Sequence, residues 1–487
     1  MARLAVAGGY LVDPGLPLER LDVLIEEGRI RDIGPGMARF ADRVIPAEGS
    51  FVMPGLVNAH THSAHTLARG LVDALPLDQW MLYMSYRSSP LTPRESYVAA
   101  AVTAVESLQT GTTTLLDHGP RVTLEGFDEH VEAVIQAYRD VGVRAAVAPL
   151  YSDIDYPQTL PLHLLPGGHV LPKGPAPSAN ELLATARRFL ERWHGRQDGL
   201  TCLLGPTAPE RCTEELLRGS AELARELGVG VHSHLLEARY QRVVLEATGR
   251  PVIESLERLS VVGPGTSFAH GVWLTREDVV RLADAGAVLV HNPVSNLKLG
   301  SGVAPLREML QAGLNVALGT DGAAANDSHS MFEVMKHAAL IHRLSGPQHE
   351  WPTAEDALRL CLQGGARVLG LPLGSLRPGA LADLVVLRPE RLLRTTKTQL
   401  INELIFGDLG ASVEMVVVGG EVVVQAGRVT TVDGDALYRE AKILAQERAD
   451  DLERRRPLVE DMVATLAGLD EAVRRTPVAL EESRLWR

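Results

Sequence analysis

Two histidines stand one residue apart in Val57-Asn58-Ala59-His60-Thr61-His62, at the end of an apolar run that begins at Phe51-Val52-Met53-Pro54. Side chains alternate along a strand with period two, so His60 and His62 share a face and can point together into one cavity. Two neutral imidazoles so placed are half of a ligand set for a zinc-type ion. Alone the pair is weak evidence, because paired histidines also occur on ordinary surfaces. Its value depends on whether the chain supplies the other half.

Other apolar stretches end in the same kind of residue. Val231-His232-Ser233-His234 precedes Leu235-Leu236-Glu237. His234 is a third candidate ligand, although His232 has the same parity and spacing does not choose between them. Glu237 begins the following loop, where a carboxylate beside a metal but not bound to it can take a proton from water and return it to a leaving atom. Phe268-Ala269-His270-Gly271 offers His270 to polarise a substrate oxygen or the attacking water, its alternative being a buried structural histidine. Ala317-Leu318-Gly319-Thr320-Asp321-Gly322 ends an apolar run in a carboxylate, costly there unless a metal and a histidine offset the charge. His291-Asn292-Pro293 and Ser295-Asn296-Leu297-Lys298 read as a polar pocket wall. His60, His62, His234 and Asp321 together suit one divalent ion, Zn²⁺ foremost, with Fe²⁺ or Mn²⁺ as alternatives.

These residues need elements that bring them together. Eight strand candidates recur between amphipathic helices: 52–62, 112–118, 145–151, 200–206, 229–236, 266–273, 287–292 and 315–320. Eight strand–helix units in this span predict a parallel (β/α)₈ barrel, whose functional groups sit at the C-terminal ends of the strands. Residues 152–178, rich in proline and glycine, form a long irregular loop read as a pocket wall or lid. Residues 1–54 and 375–434 have the texture of short strands and turns and are expected to join as one composite β-sandwich flanking a barrel of 55–374. The last segment, 435–487, reads as charge-rich helix, either a solvated surface or a subunit contact, so a dimer or tetramer is expected.

Composition limits the rest. A chain of 487 residues can bury a large core, and a net charge of −13 argues against a nucleic-acid surface. Cys202, Cys212 and Cys361 are scattered and give no disulfide framework. The N-terminal stretch breaks at Gly8-Gly9 without the apolar core of a leader, and no window approaches the roughly 18 apolar residues of a membrane span. A soluble cytoplasmic protein acting on a small molecule is the expectation.

The segments 54–62 and 234–237, Ser295-Asn296-Leu297-Lys298-Leu299-Gly300-Ser301-Gly302 and Gly319-Thr320-Asp321-Gly322 resemble the amidohydrolase superfamily, in the branch of cytosine deaminase, adenosine-derivative deaminases and triazine hydrolases. The likeness covers nearly the whole chain. It implies that His60, His62, His234 and Asp321 bind one metal, that Glu237 shuttles protons, and that His270 with Asp321 assists the water. Strand four, Leu200–Pro206, lacks the lysine that dinuclear relatives carbamylate, which favours a mononuclear site. Two departures bear on substrate. Pro206-Thr207-Ala208-Pro209 lacks the histidine of the adenosine-derivative deaminases, and Tyr86–Pro90 lacks their ribose-binding glutamate after a tryptophan resembling Trp80. A free heterocycle or small guanidine-like compound is therefore expected over a nucleoside, with His65, Trp80, Asp117, His118 and His291 as substrate-side candidates. The expected reaction is hydrolytic deamination at an amidine-type carbon by metal-activated water. The alternatives are triazine dechlorination or imidazolone-type ring opening on the same site, and remotely a non-catalytic scaffold.

Overall fold

The computed structural model describes residues 3–86, 90–121, 126–167, 169–171, 174, 176–195, 200–249, 251–394 and 396–478. Parallel strands build the centre. The first barrel strand is Leu56–Thr61, followed by Thr112–Asp117, then Arg144–Val147 continued by Leu150–Tyr151, then Thr201–Cys202 continued by Gly205–Pro206. Val231–Leu235, Thr266–His270, Val288–His291 and Asn315–Leu318 complete the set. Pairing is parallel between neighbours, with the Leu204–Val231 bridge joining the fourth strand to the fifth. The seam between last and first is closed by hydrogen bonds: the Asp321 amide donates to the His60 carbonyl (3.0 Å), and the Thr320 amide to Asn58 Oδ1 (3.1 Å). The eight-strand barrel expected from the alternating pattern is the one observed.

Helices such as Pro93–Gln109 and Glu214–Leu227 start at threonine caps; Glu214–Leu227 turns one apolar face inward at 3.6-residue spacing, whereas Pro93–Gln109 is buried on nearly every side. The run 52–62, predicted as one strand, is two. Phe51–Pro54 belongs to a different sheet, and Gly55 separates it from the barrel. A Cβ at Gly55 would lie 2.1 Å from Thr113 Oγ1, so only glycine lets the chain pass there.

Both chain ends meet in a nine-stranded sheet. Phe51–Pro54 pairs antiparallel with Leu384–Leu387, which joins the strands of residues 4–54 to those of 384–429. Leu384 and Val386 pack inside this sheet's own core, while Val385 and Leu387 face the barrel core, the alternation that period two dictates.

The tail departs from expectation. Helix Gly434–Thr465 is charge-rich on its outer face, but Arg448 Nε donates to Glu95 Oε1 (2.6 Å) in a nearly buried pair on the barrel helix Pro93–Gln109. Val459, Met462 and Leu466, with Leu469 and Val473 of the last helix Leu469–Arg475, are buried over the barrel mouth. One stripe of the tail is thus spent within the chain, and the rest of its helical surface stays exposed or half-buried. The same cluster takes in Tyr156, Leu160, Leu165 and Leu171, so the long loop packs against the tail at that end, although none of its described residues lines the cavity walled in part by the last helix. No helix among the described residues is long and apolar enough to cross a membrane.

One ion pair fastens the sheet to the base of the barrel. Asp383 accepts from Arg144 Nε (2.8 Å), Arg144 Nη2 (2.9 Å) and the Gly419 amide (2.7 Å), and both side chains are nearly buried. Removing one member of a buried pair leaves an uncompensated charge. The Asp383→Ala protein is expected to lose about 3–5 kcal/mol of stability, read as a lowered urea midpoint.

Candidate active site

The histidines gather at the C-terminal ends of the barrel strands, and their protons can be counted. Thr207's carbonyl accepts from His234 Nδ1–H (2.7 Å), and that of His118 accepts from His62 Nδ1–H (2.6 Å). Ser267 Oγ donates to the Val231 carbonyl, so it accepts from His232 Nδ1–H (2.7 Å). His232 Nε2 then accepts from His60 Nδ1–H (2.8 Å). This assignment follows from the hydrogen-bond network. Every proton sits on Nδ1, and the Nε2 lone pairs of His60, His62 and His234 are left facing one another.

Such lone pairs repel. His62 Nε2 and His234 Nε2 are 3.1 Å apart with no proton between them, and His60 Nε2 is buried without a hydrogen-bond partner. Asp321 Oδ1 lies 3.5 Å from His62 Nε2 and 3.7 Å from His60 Nε2. Ring nitrogens of His60, His62, His118 and His234 fall within 4.8 Å of one another, as do ligand atoms of His60, His270 and Asp321. A divalent cation fits this donor set: it gives orphaned lone pairs a partner, and each ring is oriented by its other nitrogen, as metal-binding imidazoles usually are. Burial first, then the neighbouring imidazoles, hold His60 and His234 well below the usual histidine range, which keeps them as neutral ligands.

The acid–base groups surround this point. Asn296 Oδ1 accepts from His270 Nδ1–H (2.9 Å), leaving His270 Nε2 free as an acceptor. Glu237 Oε1 is 3.7 Å from His270 Nδ1. Burial, then the charges of Asp321 and Glu210, push the Glu237 carboxyl well above the usual range, so it can carry a proton at neutral pH. His270 (φ 76°), Asp321 (φ 61°) and Leu236 (φ 48°), beside Glu237, all hold left-handed backbone. For non-glycine residues this conformation is strained, by about 1–3 kcal/mol each, and such strain clusters at functional sites.

The substrate-side candidates divide. His65 and Trp80 stand beside the cluster, ring centroids 5.5 Å apart, each with a buried nitrogen lacking a partner in the chain. A Cβ at Gly322 would lie 2.3 Å from His65 Nδ1, so that glycine makes room for the ring. His118 belongs to the imidazole cluster itself, stacked on His234 at 4.8 Å. Asp117, expected near substrate, is committed elsewhere: it accepts from the Ser63 amide (3.0 Å), Ser63 Oγ (2.5 Å) and Tyr138 Oη (2.6 Å). It anchors the turn after His62. His291 likewise turns away from the cluster, its Nε2 3.1 Å from His342 Nε2, because strand parity sends Asn292 rather than His291 toward His270. Arg87–Ser89, part of the segment without a ribose-binding glutamate, lies outside the described residues.

A cavity of about 220 Å³ adjoins the site, walled by Leu77, Asp78, Tyr240, Trp273, Asn296 and Leu299, and by Leu469, Asp470, Val473 and Arg474 of the last helix. Arg239, two residues after Glu237, holds that helix down. Its guanidinium donates to the carbonyls of Val473 (3.0 Å), Arg474 (3.4 Å) and Thr476 (2.9 Å) and lies over the Trp273 ring (5.2 Å). These are carbonyls at the helix C-terminus, where intrahelical donors run out; of the three, Val473's also accepts from the Thr476 amide (3.2 Å). The tail's part in the pocket was missed from sequence, although its apolar spacing (Val459, Met462, Leu466, Leu469, Val473) was a signal.

The amidohydrolase family profile matches residues 51–423. The 5'-deoxyadenosine deaminase of Methanosarcina mazei is 32% identical, over 92% of this chain and 98% of that protein. The 5-methylthioadenosine/S-adenosylhomocysteine deaminase of Desulforudis audaxviator is 34% identical, over 91% and 98%. Among solved structures, an atrazine chlorohydrolase from Arthrobacter aurescens TC1 complexed with zinc superposes with TM-score 0.81 at 25% identity, covering 91% of this chain and all of that one (100%). An adenosine deaminase from Xanthomonas campestris with bound zinc gives 0.80 at 26%, covering 92% and 98%.

Arg239→Ala removes the tail's three hydrogen bonds at once. Amide hydrogen exchange over residues 469–476 is expected to accelerate while the barrel strands stay protected. Unchanged exchange in the tail would show that apolar packing alone holds it.

Proposed function

With the chain belonging to the amidohydrolase family, we propose that it is a zinc-dependent deaminase of an aminopurine or a related amino-substituted nitrogen heterocycle, and that His60, His62, His234 and Asp321 hold the metal. The observation that carries this reading is the convergence of three unprotonated Nε2 atoms and one carboxylate beside a buried, protonatable Glu237. The zinc bound in two of the structural neighbours supports that ion over iron or manganese. When bound, the ion supplies the Lewis acidity that makes water nucleophilic near neutral pH.

The protein's own groups do the rest. Glu237 starts protonated and donates to the ring nitrogen next to the amino-bearing carbon, which makes that carbon more electrophilic. The carboxylate so formed then takes a proton from the attacking water. His270, fixed by Asn296, accepts through Nε2 and orients the water's remaining O–H together with Asp321. The proton gathered by Glu237 passes to the departing nitrogen and ammonia leaves; the proton still on the new hydroxyl is taken by the His270 and Asp321 pair as the carbonyl forms and returns to Glu237, which regains its starting state. His65 and Trp80, whose rings lie 5.5 Å apart with His65 beside His62, are the side chains proposed to contact the heterocycle. Deaminase relatives above 30% identity over most of their length favour amino-group release over dechlorination, which only structural neighbours near 25% suggest.

Glu237→Gln is expected to retain its metal and lose about 10²–10⁴-fold in turnover, the usual worth of one general acid–base group. The paired readouts are elemental analysis and ammonia release; undiminished turnover would exclude Glu237 from the mechanism. Dialysis against a chelator should abolish ammonia release and Zn²⁺ should restore it. His234→Ala should lower the bound metal per chain whatever its effect on rate. Chloride or ring-opened acid in place of ammonia would point to the other bond chemistries.

A further inference from the structure

Glu210 is a carboxylate that the proposed mechanism leaves unused. It lies in the turn Pro209–Arg211 just past the end of the fourth barrel strand, on the catalytic face, and is only 7% exposed. One oxygen is fixed: Gln241 Nε2 donates to Glu210 Oε1 (2.8 Å). Gln241 is itself held, its Oε1 accepting from the Ala238 amide (2.9 Å) in the residue after Glu237. The other oxygen, Oε2, is buried with no hydrogen-bond partner among the described residues. Neighbouring Arg211 does not satisfy it. Among the described residues the two make no ion pair, and the Arg211 guanidinium reaches toward Ser152 Oγ (3.5 Å) and over Tyr156. Glu210 is near enough to Glu237 and to Tyr240, which lines the cavity, for their charges to interact.

A buried acceptor left unsatisfied is costly, so a rigidly held one beside the proton shuttle has a donor to meet. Glu237 addresses a ring nitrogen of the heterocycle, and a carboxylate close to it addresses the same ring. We infer that Glu210 is a specificity-determining residue, whose Oε2 accepts a hydrogen bond from a ring N–H of a free aminoheterocycle. This rests on the deaminase reading above and narrows it. The recognised ligand is an unsubstituted base, because a base carrying a sugar or alkyl group on that nitrogen has no proton to offer.

The test compares ammonia release from adenine, guanine and cytosine with release from the N9-methylated purines, N1-methylcytosine and the corresponding ribosides. For wild type and Glu210→Ala, kcat and KM are measured separately, with melting temperature and metal content alongside. Wild type is expected to favour the free base, chiefly through KM. A site built to bind an N–H rejects an analogue lacking it, and loss of one charge-assisted hydrogen bond amounts to about 10–100-fold. In Glu210→Ala that preference should collapse toward one with the metal retained. Glu210→Gln should invert it: Gln241 Nε2 keeps the amide oxygen, so an NH₂ takes the place of Oε2 and meets acceptors instead of donors. A preference unchanged in both variants, or a wild type that favours ribosides, overturns the inference and leaves the deaminase reading standing. No ammonia from any compound by zinc-loaded wild type overturns both.

Discussion

The structure turns on a conflict confined to a few cubic ångströms. Ring nitrogens with lone pairs and no protons are forced together in a buried space, His62 Nε2 against His234 Nε2 at 3.1 Å, with a carboxylate beside them. Nothing in the protein relieves this. The backbone carbonyls of His118 and Thr207 make it permanent by engaging the opposite nitrogens. Folding therefore stores a repulsion that only a cation cancels, and the ligand set is pre-organised before any ion arrives.

The barrel holds that arrangement because its strands converge. First and last strands meet at a seam where the Asp321 amide bonds the His60 carbonyl, so two proposed ligands are tied by one backbone contact. Asp117, inside the second strand's end, gathers Ser63 and Tyr138 and fixes the turn that leaves His62. Positive φ at His270 and Asp321 is tolerated because packing on every side overdetermines both residues. At the base, Arg144 and Asp383 lock the barrel to the sheet formed by both chain ends, far from the chemistry.

How much of this was legible in the sequence depended on the range of the signal. Period two placed His60 with His62, and apolar runs ending in histidine or aspartate marked strand ends, so the barrel and the gathering of its polar residues could be read locally. His232 and His234 share a parity, so spacing could not separate them; the structure does so by giving His232 to His60 and Ser267. Asp117 and His291 were placed by strand-end position alone, and burial against Tyr138 and His342 sends each elsewhere. The tail reads as a charged surface helix because charge dominates its composition, while the apolar stripe that packs one side of it over the mouth only acquires meaning once Arg239 and the long loop are beside it. Glu210 carries no local signal at all. An acidic residue after a proline is ordinary until burial leaves one of its oxygens alone.

Charge gives the last step. Asp321, Glu237 and Glu210 bring three buried carboxyl groups to one end of the barrel, in a chain already at −13. Burial first, then neighbouring imidazoles, hold His60, His118 and His234 well below the usual histidine range, which disfavours their cationic forms. Lys298 is engaged by Asp327 and the Ala324 carbonyl, and Arg211, although its charge acts on Glu210, directs its hydrogen bond to Ser152. A site so poor in cations cannot keep all three carboxyls ionised without a positive guest. On the proposed reading a divalent ion would compensate Asp321, a proton would neutralise Glu237, and a nitrogen-bound hydrogen on the ring would satisfy Glu210. Each acid thus has a distinct positive partner. A nitrogen heterocycle that accepts one proton and presents another matches that pattern, whereas an anionic substrate would add to the charge the fold has gathered there.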